Sequence, residues 1–309
     1  MPPNISTDWV QKVTEKISPF QGDAHRMANT NADMVRRVLH GMGPDKDERD
    51  PARGAKVAVN IAAVHVPAFC SCNAKGNAYK NSYDLKNTRR LEGIPPSEKI
   101  PPSEKIPTRT LVDSILASVT NAPDEKIYFG AVEVNGSGIR FYGDLCFILE
   151  SKKIHDATVV LRSNSYDLVR PPITLDGKVP DENALKSLAQ AMAGLWRDDT
   201  PNMAVLKTMA VRNVAERRLT TGQISDAVLD DEDYLEVLMK DSFDSSNLQE
   251  VRTSAADAAG QGQIGEQLRL GPCPTLAELQ WRKHRIAAVR ALQKRGVRSR
   301  VVTTSGRVR

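Results

Sequence analysis

Residues 126–134 (KIYFGAVEV) and 139–150 (IRFYGDLCFILE) are two strand-forming runs joined by Asn135-Gly136-Ser137-Gly138. This stretch constrains the fold more than any other. Its turn residues accept positive φ, and two such runs across a short turn predict a β-hairpin. In the second run Ile139, Phe141, Leu145, Phe147 and Leu149 share one face, while Arg140, Tyr142, Asp144 and Glu150 point the other way. Residues 157–162 (ATVVLR) can extend the sheet. Residues 56–69 (KVAVNIAAVHVPAF) read as a further strand, with valines at 57, 59, 64 and 66 and Ile61 suited to a pleated surface.

Helical signals flank this core. Val10, Val13 and Ile17, then Met34, Val35, Val38 and Leu39, recur at helical spacing within 1–55. After Pro180, Asp181 opens a helix with Leu185, Leu188, Met192, Leu195 and Trp196 on one stripe. Thr200-Pro201 reads as the cap and first turn of the next helix. Ser254–Gly265 is small and Gly-rich, which predicts a flexible connection. Thr275-Leu276-Ala277-Glu278 matches a capping box, Gly296 supplies the stop, and Val297–Thr304 reads as a short strand or extension. The tandem repeat of Pro-Pro-Ser-Glu-Lys-Ile at 95–106 cannot enter a helix or a central strand, so 93–107 is a Pro-rich loop. The expected class is α+β: N-terminal helices over 1–55, a small antiparallel sheet over 56–175, and a helical region over 180–309.

Several chemistries are excluded. Histidines 25, 40, 65, 155 and 284 form no metal-binding spacing, and no nucleophile elbow, phosphate loop or dinucleotide fingerprint is present. Four scattered cysteines do not make a disulfide scaffold, and Cys70-Ser71-Cys72 reads as reduced thiols rather than a metal site. Aromatics at 5% are too few for a sheet that stacks many bases. No secretory signal or membrane-length apolar run is visible, so a soluble, cytoplasmic chain without a bound metal is expected.

Charge is distributed unevenly. Residues 281–309 carry ten Lys or Arg and no Asp or Glu, although the whole chain is only +5. The other 280 residues therefore sum to −5. Within them, 226–250 holds nine acidic residues against one Lys. The cations Arg282, Lys283, Arg285, Arg290, Lys294, Arg295, Arg298 and Arg300 can meet nucleic acid or another anionic partner. They can equally pair within the chain with 226–250. The apolar stripe of the last helix is too narrow for a membrane surface.

A pentapeptide, Asn-Ser-Tyr-Asp-Leu, occurs at 81–85 and again at 164–168. Asn, Ser and Asp bond readily to their own backbone, so a shared turn type is the simplest account.

His65 on the first strand, Ser82-Tyr83 after a loop, Glu133 on a later strand and the following Ile139-Arg140-Phe141-Tyr142-Gly143-Asp144 form an ordered set. That order resembles the ADP-ribosyltransferase-like domains of bacterial toxins and effectors, over roughly 56–170. The resemblance implies NAD as cofactor, with His65 or Arg53 holding its ribose or phosphate. It places Ser82, Tyr83 and Tyr166 around the nicotinamide and makes Glu133 the carboxylate that stabilises the oxocarbenium-like transition state. The sequence departs from the family's pattern: it has no Ser-Thr-Ser triplet, and Ala131 stands where arginine-modifying members carry a second acidic residue. The transferase reading requires His65 and Glu133 to line one cleft. The alternative is a non-enzymatic subunit that binds nucleic acid or a larger assembly through 281–309.

Overall fold

A computed structural model describes residues 55–71, 78–81, 84, 107–123, 126–169, 181–211, 225, 227–229, 234–271 and 273–302. The helices expected over 1–55 and the Pro-rich loop 93–107 lie outside these residues, Ala55 and Pro107 apart. The elements run β1 (Lys56–Ile61), α1 (Val66–Phe69), α2 (Pro107–Thr120), β2 (Tyr128–Glu133), β3 (Leu145–Leu149) and β4 (Val159–Leu161). They continue with α3 (Glu182–Met192), β5 (Ala193–Leu195), α4 (Trp196–Val211), β6 (Glu236–Met239), β7 (Leu248–Ser254), α5 (Ala255–Leu270), α6 (Leu276–Lys294) and β8 (Arg298–Val302).

All eight strands form one sheet, in the order β5-β4-β6-β2-β1-β3-β7-β8. Neighbours are antiparallel except β7 and β8, which run parallel and are connected through α5 and α6. This corrects the expected architecture. The sheet is large and mixed, and the region expected to be helical supplies four of its strands. Those strands were hidden because they are short or highly charged: Glu236-Val237-Leu238-Met239 sits inside the acidic segment, and β8 is Arg-Ser-Arg-Val-Val.

The expected hairpin is also corrected. β2 and β3 do not pair; each pairs with a different side of β1, in the registers Val57↔Val132 and Val59↔Phe147. Residues 134–144 therefore cross the face of β1 instead of turning tightly. Asn60 on β1 secures this crossing by donating from Nδ2 to the carbonyls of Ser137 and Gly143, both at 3.0 Å. A Cβ on Gly143 would stand 2.2 Å from the backbone of Ile61. Gly138 combines φ of 68° with a contact that would put its Cβ 2.0 Å from Asn60 Oδ1. The glycines that suggested a turn instead permit a loop pressed flat on a strand.

Strand alternation separates two buried faces. On one, Val57, Val59, Val132, Phe147, Leu149, Val237 and Val251 meet Trp196 and Met203 of α4 and Ala288 and Leu292 of α6. On the other, Val159, Leu161 and Leu238 pack against Val112 and Leu116 of α2, with α3 behind it through Leu185 and Leu188 against Ile115. The remaining part of that second face, around Ala58, Cys146 and Ile148, lies beneath the crossing loop.

Local capping signals hold where they were read. The Asp181 carboxylate accepts from Asn183 and Ala184 backbone N–H groups, and Thr275 and Glu278 form the reciprocal box. Two other readings change. The stripe from Asp181 breaks at Met192, and Thr200 lies inside α4, buried, not at a cap. The stretch from Ser254 is no flexible connection but the capped helix α5, whose glycines allow close approach to α6. Gly265 lies against Arg282 and Gly260 against Trp281, where a Cβ would come to 3.4 and 3.8 Å.

Burial pushes the Cys70 thiol up from 9.0 to about 11, opposed by the Arg295 guanidinium beside it. The folded thiol therefore keeps its proton while the unfolded one loses it near 9. Sign follows directly: above pH 9 the folded state binds more protons, so stability falls as pH rises toward 11. Urea midpoints from pH 8 to 10.5 should decline in wild type, and the decline should shrink in Cys70→Ala; an identical slope in both would refute this assignment.

Candidate functional site

Glu133 ends β2 at 0% exposure. Its carboxylate accepts from the backbone N–H groups of Val134 at 2.7 Å, Gly136 at 3.0 Å and Gly138 at 3.0 Å. The Ser225 hydroxyl donates to it as well. Four donors thus converge on two oxygens and shape the start of the crossing loop. Lys56 stands opposite Glu133 in the β1–β2 ladder and is itself buried.

The same face carries other buried polar groups that sequence reasoning missed. Glu236 accepts from the Ser165 backbone N–H at 2.8 Å. Arg252 donates to Glu250 at 2.6 Å and to the carbonyls of Val134 and Gly136, both at 3.2 Å. Arg252 therefore tethers the backbone that Glu133 caps. These residues occupy strand positions that alternate like solvent-facing ones. Only the loop laid over them turns that face inward.

His65 is not on the first strand. β1 ends at Ile61, and His65 closes the exposed 3₁₀ turn Ala63–His65. Glu133 pairs with Lys56, at the opposite end of β1, so five residues of strand, about 17 Å, separate it from Ile61 alone. The two residues do not line one cleft. Tyr166 is half-buried in the turn Ser165–Val169, where its N–H donates to Asn164 Oδ1 at 3.0 Å. Asn81 Oδ1 likewise accepts from Asp84 N–H at 2.9 Å, so both copies of the repeated pentapeptide begin with an Asn that bonds its own downstream backbone. Ser82, Tyr83 and Arg53 lie outside the described residues. A cleft lined by Glu150, Lys153, His155, Thr158, Asp241 and Asn247 has a volume of about 40 Å³, room for little more than a water and not for a dinucleotide. Among the described residues no group of three or more His, Cys, Asp or Glu is arranged to hold a metal. No helix among them is long and apolar enough to cross a membrane.

The basic C-terminal element divides sharply. Arg285 is 2% exposed and donates to Gln261 at 3.1 Å, to Asp144 Oδ2 at 2.8 Å and carbonyl at 3.2 Å, and to Thr253 at 2.8 Å. Its guanidinium also sits 4.9 Å from the Trp281 ring centroid. Arg295 donates to the carbonyls of Cys70 and Ser71 at 2.8 and 3.0 Å. Arg300 bonds Asn135 at 2.7 Å and reaches Glu250 at 3.2 Å, which is the contact between this element and the acidic segment 226–250. Arg282 is half-buried along α5. Lys283, Arg290, Lys294 and Arg298 remain: all are exposed and make no ion pair or hydrogen bond among the described residues. The spacing of the first three, seven and four residues, sets them on one helical face over about 16 Å.

No protein-family model, curated protein or solved structure matches the chain.

Proposed function

We propose that this chain is a non-enzymatic nucleic-acid-binding subunit that engages phosphates through the exposed face of α6 and the start of β8. The observation that carries this reading is the division of the basic element. Arg285, Arg295 and Arg300 hold the fold together, whereas Lys283, Arg290, Lys294 and Arg298 present charge to solvent from a helix that is already docked and rigid. Fixed cations cost little side-chain and backbone ordering on binding, and they attract any polyanion. ADP-ribosyl transfer has no comparable support, since the Glu133 carboxylate is saturated by protein donors and His65 stands beyond the far end of β1.

The division makes a quantitative expectation. Four released counterions give a slope of log affinity against log salt of about −3.6 on duplex DNA, whereas ten would give about −9. Between 50 and 200 mM salt the affinity should thus fall about 150-fold. Fluorescence anisotropy with a 20-base-pair duplex measures this. The quadruple variant K283Q/R290Q/K294Q/R298Q should lose binding with an unchanged thermal midpoint, because every replaced side chain is exposed. Salt-independent binding, or affinity that survives the four changes, would overturn the proposal.

A further inference from the structure

The turn at residues 140–142 exposes two neighbouring aromatic rings. Phe141 is 66% exposed and Tyr142 54% exposed, in a chain with only 15 aromatic residues. Their centroids lie 5.2 Å apart at an interplanar angle of 80°. The other large apolar side chains exposed among the described residues are aliphatic.

This turn is rigidly held. Arg140 pairs with Asp257 at the start of α5, and Tyr142 shares a side-chain hydrogen bond with buried Tyr234. Asn60 holds the Gly143 carbonyl, and Asp144 Oδ1 accepts from the Ala63 N–H at 2.9 Å. A rigid turn that leaves its aromatic rings in water forgoes burial worth about 25 cal/mol per Å² of apolar surface. Such presentation favours a planar partner, because the ring needs no ordering when the partner stacks on it.

The turn also adjoins the basic helix. Asp144, three residues beyond Phe141, accepts from Arg285 at 2.8 Å, and Lys283 is two residues from Arg285 on α6. Three residues of chain span at most about 10 Å. Exposed His65 lies on the adjoining turn, whose Ala63 contacts the same aspartate. Rings and cations therefore lie within reach of one short strand of nucleic acid. A duplex keeps its base faces stacked inside, whereas a single strand can offer them.

Resting on the nucleic-acid reading above, we infer that the preferred ligand is single-stranded: its bases stack on Phe141 and Tyr142 while its phosphates follow the cations of α6. The two rings are a local platform for one or two bases, not the many-ringed sheet that the low aromatic content excludes.

The test uses the full chain with labelled dT20, U20 and a 20-base-pair duplex at 50 mM salt, read by fluorescence anisotropy. Wild type should bind at least one single strand about tenfold more tightly than duplex, and the dT20 and U20 arms separate DNA from RNA. Phe141→Ala should weaken single-strand binding about tenfold, the loss expected from one stacked base, with duplex affinity and thermal midpoint unchanged. Phe141→Trp should restore it. Duplex binding with no single-strand preference, or a Phe141→Ala loss shared equally by duplex, overturns this inference and leaves the cationic reading standing. Failure of wild type to bind any of the three probes removes both.

Discussion

Glu133→Ala should lower the unfolding free energy by about 3–5 kcal/mol, a large part of the 5–15 kcal/mol that typically holds a domain together. The size follows from what the substitution leaves behind. Three backbone N–H groups and a hydroxyl converge on this carboxylate at full burial, and each orphaned buried donor costs about 1–3 kcal/mol when water cannot replace its partner. Lys56, buried opposite, would also lose a nearby negative charge. Glu133→Gln should cost less, because one acceptor oxygen remains, but its new N–H₂ would face donors instead of accepting from them. Urea denaturation measures all three proteins. A loss under about 1 kcal/mol for Glu133→Ala would mean the carboxylate does not organise the crossing loop.

Arg285→Ala is the second large effect, also about 3–5 kcal/mol. The fork of Arg285 links α6 to α5 through Gln261, to β7 through Thr253 and to the crossing loop through Asp144, at 2% exposure. Lysine cannot reproduce these separate directions with one ammonium, so Arg285→Lys should recover little. Asp144→Ala breaks the same network from the other side and also frees the Ala63 N–H. The double variant Arg285→Ala/Asp144→Ala should be no more than about 1 kcal/mol worse than the weaker single, a coupling of about 2–3 kcal/mol. Additive losses would show that the two do not act together. Arg285 also separates structure from binding: its replacement should shift stability while leaving the salt slope on duplex DNA at about −3.6 in whatever fraction stays folded.

How much of this was legible in the sequence depended on range. The Asp181 cap and the Thr275–Glu278 box were readable because each is closed within three residues by a side chain on its own backbone. The first strand and those at 126–134, 139–150 and 157–162 were readable from alternation, though β1 is shorter than its valine run and β2 and β3 are not partners. Val64 and Val66 continue the β-branched pattern past Ile61 but belong to a 3₁₀ turn and a short helix. β5 through β8 carry weaker local signals, since three, four, seven and five residues of mixed character become strands only when neighbours supply the ladder.

The candidate site shows the same boundary. That residues 281–309 are basic, and that a capped helix carries most of that charge, was plain from composition and spacing. Which cations are available was not, because Arg285 and Arg290 differ only by their place on the helix until α5 and Asp144 close around one of them. Glu133 is the converse case. By alternation it could face solvent and chemistry, and only the backbone of residues 134–138, folding back over it, made it a buried cap.

The sequence alone determined local helix caps, the sheet-forming stretches and the concentration of positive charge at one end. Tertiary structure decided strand order, which polar residues are inside, and which charges remain outside. The physical reason is that caps and periodicity are set by neighbours a few residues away. Burial and charge pairing are set by contacts between segments as distant as Asp144 and Arg285, whose energies exist only once the sheet has brought them together.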